Sequence, residues 1–379
     1  MKSDNDQTAA YTQVLLECLS GSKPPVPPLD GCSILDCADG ALDAFRSIAP
    51  AHILNDIKGS ELISERARLL NLSNPGRTSA NGTCRLIQSQ SCWIALNLAR
   101  EEDWTLIPAW LETDEDCTEW QSIESLIRGK CGQALVKRGQ LMGLPVAAYN
   151  SHHSNDWYRS PHHGRPTINR KSSPLVVDLS SLWAGPLCAH LLLEAGATVI
   201  KVESSSRPDP TRLSAPNFHQ LINSEKQHVS LDFTNEHDIL KLLKMLQQAD
   251  IVIESSRPRA LQQLGVYAEK LISEIPGLTW VSITGYGREE LHANCVGFGD
   301  DAAIAAGAAH EMDDELHFVG DALSDPLTGI HAAVVALAGW QSGVGSLIDI
   351  SLAGVTSFVI QSVSRISPID LETNANDRQ

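Results

Sequence analysis

Aromatic residues make up only 5% of the 379-residue chain. No apolar run approaches the ~20 residues that a bilayer-spanning helix needs, so no membrane segment is expected. Basic residues are scarce beside acidic ones, 29 Lys and Arg against 46 Asp and Glu, for a formal net charge of −17. That balance argues against general affinity for nucleic acid or an anionic membrane, while leaving room for one local basic pocket. The opening MKSDNDQTAA lacks the basic-then-apolar pattern of a secretory signal. The nine cysteines are scattered, with no CxxC pair, which predicts a reduced, cytoplasmic protein with mostly buried free thiols. No GxGxxG follows a strand and no GxxxxGK[ST] is present, so neither a nicotinamide nor a P-loop nucleotide site is supported. What is present, 42% hydrophobic and 20% charged residues, is ordinary for a soluble globular protein of two or three domains.

The chain is organised around Ser173 to Glu203, SPLVVDLSSLWAGPLCAHLLLEAGATVIKVE. A β-branched run at 175–179, a break at Ala184-Gly185-Pro186, apolar residues at helical spacing over 187–194 and a second strand at 198–202 predict a βαβ unit with parallel strands. Gly196 sits where a helix end wants a left-handed residue. The alternation continues with strands at 228–233, 250–258 and 278–287 and helices at 236–249 and 260–275, with a loop at 209–217. The fold class expected is therefore α/β, a doubly wound parallel sheet plus a smaller α+β domain. In such sheets ligands bind outside the carboxyl ends of the strands, here SSLWAGP, VESSSRPD, ESSRPR and TGYGREE.

Earlier in the chain, the spacing predicts a helix at 9–19, a Pro-rich connector (SKPPVPPLDG), strands at 83–87 and 92–98, helices at 101–111 and 120–135, and a short strand after Pro145. Residues 1–150 are read as the small α+β domain, 151–171 as a linker, 172–370 as the Rossmann-like large domain and 371–379 as a disordered tail. The linker holds His152, His153, His162 and His163. Adjacent pairs chelate poorly in a regular element, and no ordered acidic or cysteine partner lies close by, so a solvated polar linker rather than a metal site is expected.

Several segments together resemble the class III CoA-transferases, a family that includes formyl-CoA and carnitine CoA-transferases and 2-methylacyl-CoA racemases. They are VVDLSSLWAGPLCAHLLLEAGATVIKVE, DPTR, NSEKQHVSLDF, ADIVIESSRPRALQQLG, WVSITGYG, VGFGDD, VGDALSDPLTGIHAA and LIDISL, in family order. WIALNLAREEDWTLIPAWLE and ALVKRGQLMGLPVAA resemble the family's small domain, yet precede the large one. The chain thus looks circularly permuted or rearranged, which nearby surface termini permit.

The resemblance implies CoA transfer between carboxylic acids. A carboxylate attacks the donor thioester to give a mixed anhydride while the CoA thiolate waits nearby. In strict register the family's aspartate falls on Gly299. Asp300 follows and is the expected nucleophile, held ionised by the helix N-terminus, with Asp301 in reserve. The plainer alternative is that one of the two only caps the helix. Racemases pair a histidine with an aspartate at the position of Asp321. Phe298 stands in place of that histidine and counts against racemisation, so Asp321 is an auxiliary acid or base, or orders its turn. For coenzyme A the expected contacts are Trp183, Ala184, Lys201, Arg207, Arg212, Asn223, Lys226, Ser255, Ser256, Arg257, Arg259, Tyr286, Gly285 and Gly287. The two glycines would let backbone approach the pantetheine arm. The partners implied are acyl-CoA and carboxylic acids and a homodimer, interlocked in the family, with no nucleic acid, membrane or metal. The alternatives are a 2-substituted acyl-CoA racemase and an acyl-CoA-binding protein without turnover.

Overall fold

A computed structural model describes residues 4–21, 29–50, 57–73, 76–169, 171–363, 366–367 and 369. Helices α1 (Asp4–Leu19), α2 (Ile34–Ile48) and α3 (Gly59–Leu70) open the chain. Ser33 and Asp36 close a capping box at the start of α2, satisfying two helix-end N–H groups. Ile34, Cys37, Ala38, Ala41, Leu42 and Phe45 then recur at helical spacing and are buried. Strands β1 (Cys84–Gln88), β2 (Trp93–Asn97) and β3 (Val146–Ala148) form an antiparallel sheet in that order. Helices α4 (Glu101–Leu111), α5 (Trp120–Arg128) and α6 (Gly132–Met142) cover one face, burying Ile107, Trp110, Ile123 and Leu135 against Ile94 and Val146. The single helix predicted over 120–135 is interrupted at Gly129, where α5 ends.

The large sheet follows. Its elements are β4 (Arg159–Pro166), β5 (Leu175–Asp178), α7 (Ala184–Glu194), β6 (Thr198–Ser204), α8 (Thr211–Ser214), α9 (Pro216–Asn223), β7 (Gln227–Leu231), α10 (Glu236–Gln248), β8 (Ile251–Glu254), α11 (Pro258–Gln263), α12 (Ala268–Glu274) and β9 (Thr279–Thr284). Then come α13 (Gly299–Ala305), a hairpin of β10 (Ala309–Met312) and β11 (Glu315–Phe318), α14 (Ser324–Ser342), β12 (Val344–Ser351) and α15 (Leu352–Ser362). The sheet order is β4-β12-β9-β8-β5-β6-β7, all parallel except β4, which runs antiparallel at the edge. The chain leaves β5 toward β7 and returns to the other side of β5 at β8, so the switch point lies between β5 and β8. Their buried Val176, Val177, Ile251, Val252 and Ile253 explain the unbroken apolar runs. The α/β doubly wound class is that of the structure.

Three expectations are corrected. The segment 151–171 is not wholly a linker: Arg159–Pro166 is a strand bonded to β12 through its backbone. The loop at 209–217 contains α8 and the start of α9. Nor does residue 150 divide the cores, because α1 and α2 pack on α14. Tyr11 and Phe45 share a core with Leu327 and Ile330, and the Tyr11 hydroxyl meets His331 Nε2 at 2.9 Å. Most of the Pro-rich connector, and the tail at 371–379, lie outside the described residues.

Candidate active site

A cleft of about 650 Å³ opens at the carboxyl ends of β5, β6, β8 and β9. Its walls come from Leu179–Leu182 after β5, Ser204 at the end of β6 with Ser206–Pro210 beyond it, Ser255–Arg257 after β8, and Thr284 and Gly285 at the end of β9. The small-sheet unit adds Ala99 and Arg100, and the Val296–Phe298 loop closes the far side. Gly285 is needed here for space, since a Cβ would lie 2.9 Å from Gly297 Cα.

Arginines gather at the mouth. Burial lowers the Arg257 pKa, and repulsion from Arg259, Arg100 and Arg207 lowers it further, so the Arg257 guanidinium feels the other three. Arg100 is tied to Asp103 and to the Gly143 carbonyl, and lies 5.9 Å from the Phe298 ring centre. Among the described residues no carboxylate forms a salt bridge with Arg207, Arg257 or Arg259. In a chain of net charge −17, Arg207 and Arg257 on the cleft, with Arg259 nearby, concentrate positive charge at its mouth.

Beneath the loops after β5 and β6 lies a buried ionic network. Lys226 Nζ donates to Asp178 Oδ2 at 3.0 Å, to Asn223 Oδ1 and to the Pro186 carbonyl. Lys201 Nζ donates to the Ser180 carbonyl at 2.9 Å and lies 3.5 Å from Asp209 and 3.9 Å from Asp178. Burial pushes Asp178 up, but the two ammonium groups outweigh it and hold it at about 2. Burial brings Lys226 down to about 8 despite Asp178. The network braces the cleft floor: Asp178 accepts the Ser180 N–H and Asp209 accepts the Leu182 N–H.

At the inner end four aspartates converge, on α13 and on the turn into α14. Asp300 accepts the Ala322 N–H at 3.0 Å, with Asn81 Nδ2 at 3.5 Å. Asp301 accepts the Phe298 N–H at 3.0 Å and the Tyr286 hydroxyl at 2.8 Å, with Asn97 Nδ2 at 3.4 Å. Asp321 is gripped by Arg66 Nε at 2.7 Å and Nη2 at 2.6 Å, while the guanidinium rests 4.5 Å from the Trp183 ring centre. Asp325 takes the Gly299 N–H and, alone of the four, lines the cleft. Burial, with the neighbouring negative charges, pushes Asp300, Asp301 and Asp325 each up to about 7.

The sequence-derived site is thus divided. Ala184, Arg207, Ser255, Ser256, Arg257 and Gly285 line the cleft. Arg259 lines a neighbouring pocket of about 380 Å³ with Arg159 and Arg288. Lys201, Lys226 and Asn223 are buried in the ionic network and do not reach the cleft. Arg212 turns outward to pair with Glu203, and Trp183 is covered by Arg66. Tyr286 is spent on Asp301, and the Gly287 N–H on Thr284 Oγ1. Asp300 and Asp301 are buried away from the cleft, as is Asp321. Asp301 closes the first turn of α13, the capping role weighed for one of the pair. Sequence reasoning missed Arg66, Arg100 and the cleft-facing place of Asp325. His162 and His163 fall on the exposed edge strand, and among the described residues no three metal-binding side chains cluster.

The raised carboxyls carry a pH dependence. The folded chain holds protons that the unfolded chain releases above about pH 4. This contribution is therefore complete below pH 4 and is lost as pH rises through about 7. Asp301→Asn, a neutral isostere, is expected to flatten the fall in urea midpoint between about pH 4 and 7. An unchanged slope would mean that Asp301 is ionised throughout.

Residues 174–369, just over half the chain, match the model of CoA-transferase family III. The chain belongs to that family. Its relatives include a succinyl-CoA–D-citramalate CoA-transferase of Chloroflexus aurantiacus, 27% identical over 47% of this chain and 48% of that protein. A succinate–glutarate CoA-transferase of Agrobacterium fabrum is 29% identical over 51% and 54%. An (R)-2-hydroxy-4-methylpentanoate CoA-transferase of Clostridioides difficile is 30% identical over 47% and 49%. The chain spans about half the length of the curated relatives it matches. Among solved structures, a CAIB/BAIF family protein from Brucella suis aligns at 28% identity over 52% of this chain and 56% of that one, with a TM-score of 0.47.

Proposed function

We propose that this protein is a CoA-transferase, moving CoA between two carboxylic acids through an acyl anhydride on a protein carboxylate. The observation that carries the reading is one cleft with unpaired arginines at its mouth and a carboxylate at its inner end, in a member of this family. Arg207 and Arg257, with Arg100 and Arg259 beside them, suit the phosphates of CoA as charge-assisted donors. The apolar wall of Ile283, Phe298 and Leu352 suits the pantetheine arm and the acyl group. The relatives named for succinyl-CoA and glutarate supply the first substrates to try. Phe298 offers no proton at the racemase position, so proton transfer at the α-carbon is the weaker reading.

Three further points belong to the same proposal. The unit over 84–148 is the family's small domain placed before the large one, in keeping with a family match that begins at residue 174. The protein works as a homodimer. Its compartment is the cytoplasm, consistent with nine free cysteines, and among the described residues no helix is long and apolar enough to cross a membrane.

The test is transfer of CoA from succinyl-CoA or glutaryl-CoA to a panel of carboxylic acids, followed by mass spectrometry of the products. Arg257→Ala is expected to raise KM for the CoA donor about 10- to 100-fold, the loss of one charge-assisted phosphate contact of about 1.5–3 kcal/mol. A racemised donor with no exchanged CoA would favour the isomerase. Tight CoA binding with neither reaction would leave a silent binder.

A further inference from the structure

We propose that the nucleophile of this reaction is Asp325, delivered from α14 into the space left by the missing side chain of Gly299. The inference rests on the transferase reading above. Position 299 cannot carry a side chain: a Cβ there would lie 2.4 Å from the Ala322 carbonyl oxygen and 2.5 Å from Asp325 Oδ2. The second of those atoms is the carboxylate itself, which fills the site from the first turn of α14 and is oriented by the Gly299 N–H.

The other cleft-lining carboxylates are engaged elsewhere. Glu203 is paired with Arg212, and Asp209 accepts from Thr211 and Leu182 and lies beside Lys201. Asp300 and Asp301 hold the Ala322 turn and the α13 cap, and Asp321 is clamped by Arg66. Asp325 has no salt bridge of its own among the described residues and is partly accessible from the cleft. Burial pushes its pKa up to about 7 against the pull of Arg66, which bonds to Asp321 rather than to it, so an ionised, nucleophilic fraction is present at neutral pH.

In the reaction an Oδ of ionised Asp325 bonds to the thioester carbonyl carbon. The C–S bond breaks and the thiolate leaves with its electron pair, giving acyl-Asp325 anhydride. The thiolate then attacks the Asp325 carbonyl carbon, which releases the donor acid and leaves an Asp325–CoA thioester. The acceptor carboxylate reverses both steps to leave as its own CoA thioester. No oxidant or added proton is required.

Wild-type protein incubated with succinyl-CoA or glutaryl-CoA is quenched with hydroxylamine and digested, and the hydroxamate is located by peptide sequencing in the mass spectrometer. The hydroxamate is expected on Asp325. Asp325→Asn is expected to lose about a thousand-fold or more in transfer rate while still binding CoA. A hydroxamate on Asp300 or Asp301 would overturn the assignment but keep the transferase. Retained CoA transfer with no adduct, or full activity in Asp325→Asn, would also overturn it. CoA binding with neither transfer nor adduct would remove the transferase reading itself.

Discussion

Replacing Arg66 with methionine is expected to destabilise the fold by about 3–5 kcal/mol, the usual result of removing one partner from a buried ion pair. Asp321 is fully buried and both its oxygens are committed to Arg66, whose side chain is itself only 14% exposed. Without the guanidinium, Asp321 faces the negative charges of Asp300 and Asp325 with no cation in contact. Methionine keeps much of the contact with Trp183, which isolates the charge effect from the packing effect. Urea denaturation of Arg66→Met, Asp321→Leu and the double variant closes the cycle. The double variant should be far less destabilised than the sum of the singles. A loss below about 1 kcal/mol in Arg66→Met would mean that water reaches Asp321 and the pair is not desolvated.

That pair also marks a limit of the sequence. Arg66 and Asp321 are 255 positions apart, and α3 carries no local motif pointing to a site. Between the Pro-rich connector and Ser79 the chain reads as nothing in particular, because helices docked on other helices by tertiary contact alone show only periodicity. By contrast, β5, α7 and β6 were legible, since fully buried parallel strands must be continuously apolar and Gly196 takes its left-handed turn at φ +91°. Strand β4 was not legible. RSPHHGRP has two prolines and few apolar side chains, and it joins the sheet through main-chain bonds at an edge where side chains matter little.

The site was half legible for similar reasons. Loop cations after β6 and β8 were found because strand ends are predictable. Lys201 was misplaced because β6 runs on to Ser204, which makes Lys201 a mid-strand residue with its ammonium under the loop. For Asp300 and Asp301 the magnitudes decide. A helix N-terminus favours a carboxylate by about 0.3–1 kcal/mol, at most about 2. Full burial without a paired cation shifts a carboxyl by up to about 3–5 pKa units, each about 1.4 kcal/mol. Burial wins, and both groups sit near 7 rather than held ionised.

The second large effect belongs to Asp178→Asn. The amide keeps an oxygen for the Ser180 N–H but removes the charge that faces both Lys226 and Lys201. Two buried ammonium groups then share only Asp209, which touches Lys201 alone. A loss of about 3–5 kcal/mol at pH 7 is expected. The loss should shrink as pH rises, and the sign follows from Lys226. Its folded pKa is already down at about 8 with Asp178 present, and without that partner it falls further. The unfolded chain then binds the extra proton over a wider range below about 10.4, so stability climbs with pH across that range. Urea midpoints of wild type and Asp178→Asn at pH 7 and pH 9 measure the difference directly. An equal deficit at both values would mean that Lys226 keeps its proton through Asn223 and the Pro186 carbonyl alone. The variant should also weaken CoA binding without touching a ligand contact. The Ser180–Leu182 floor of the cleft hangs on this network, and Leu182 holds a left-handed φ of +70° that a side-chain-bearing residue keeps only under such restraint.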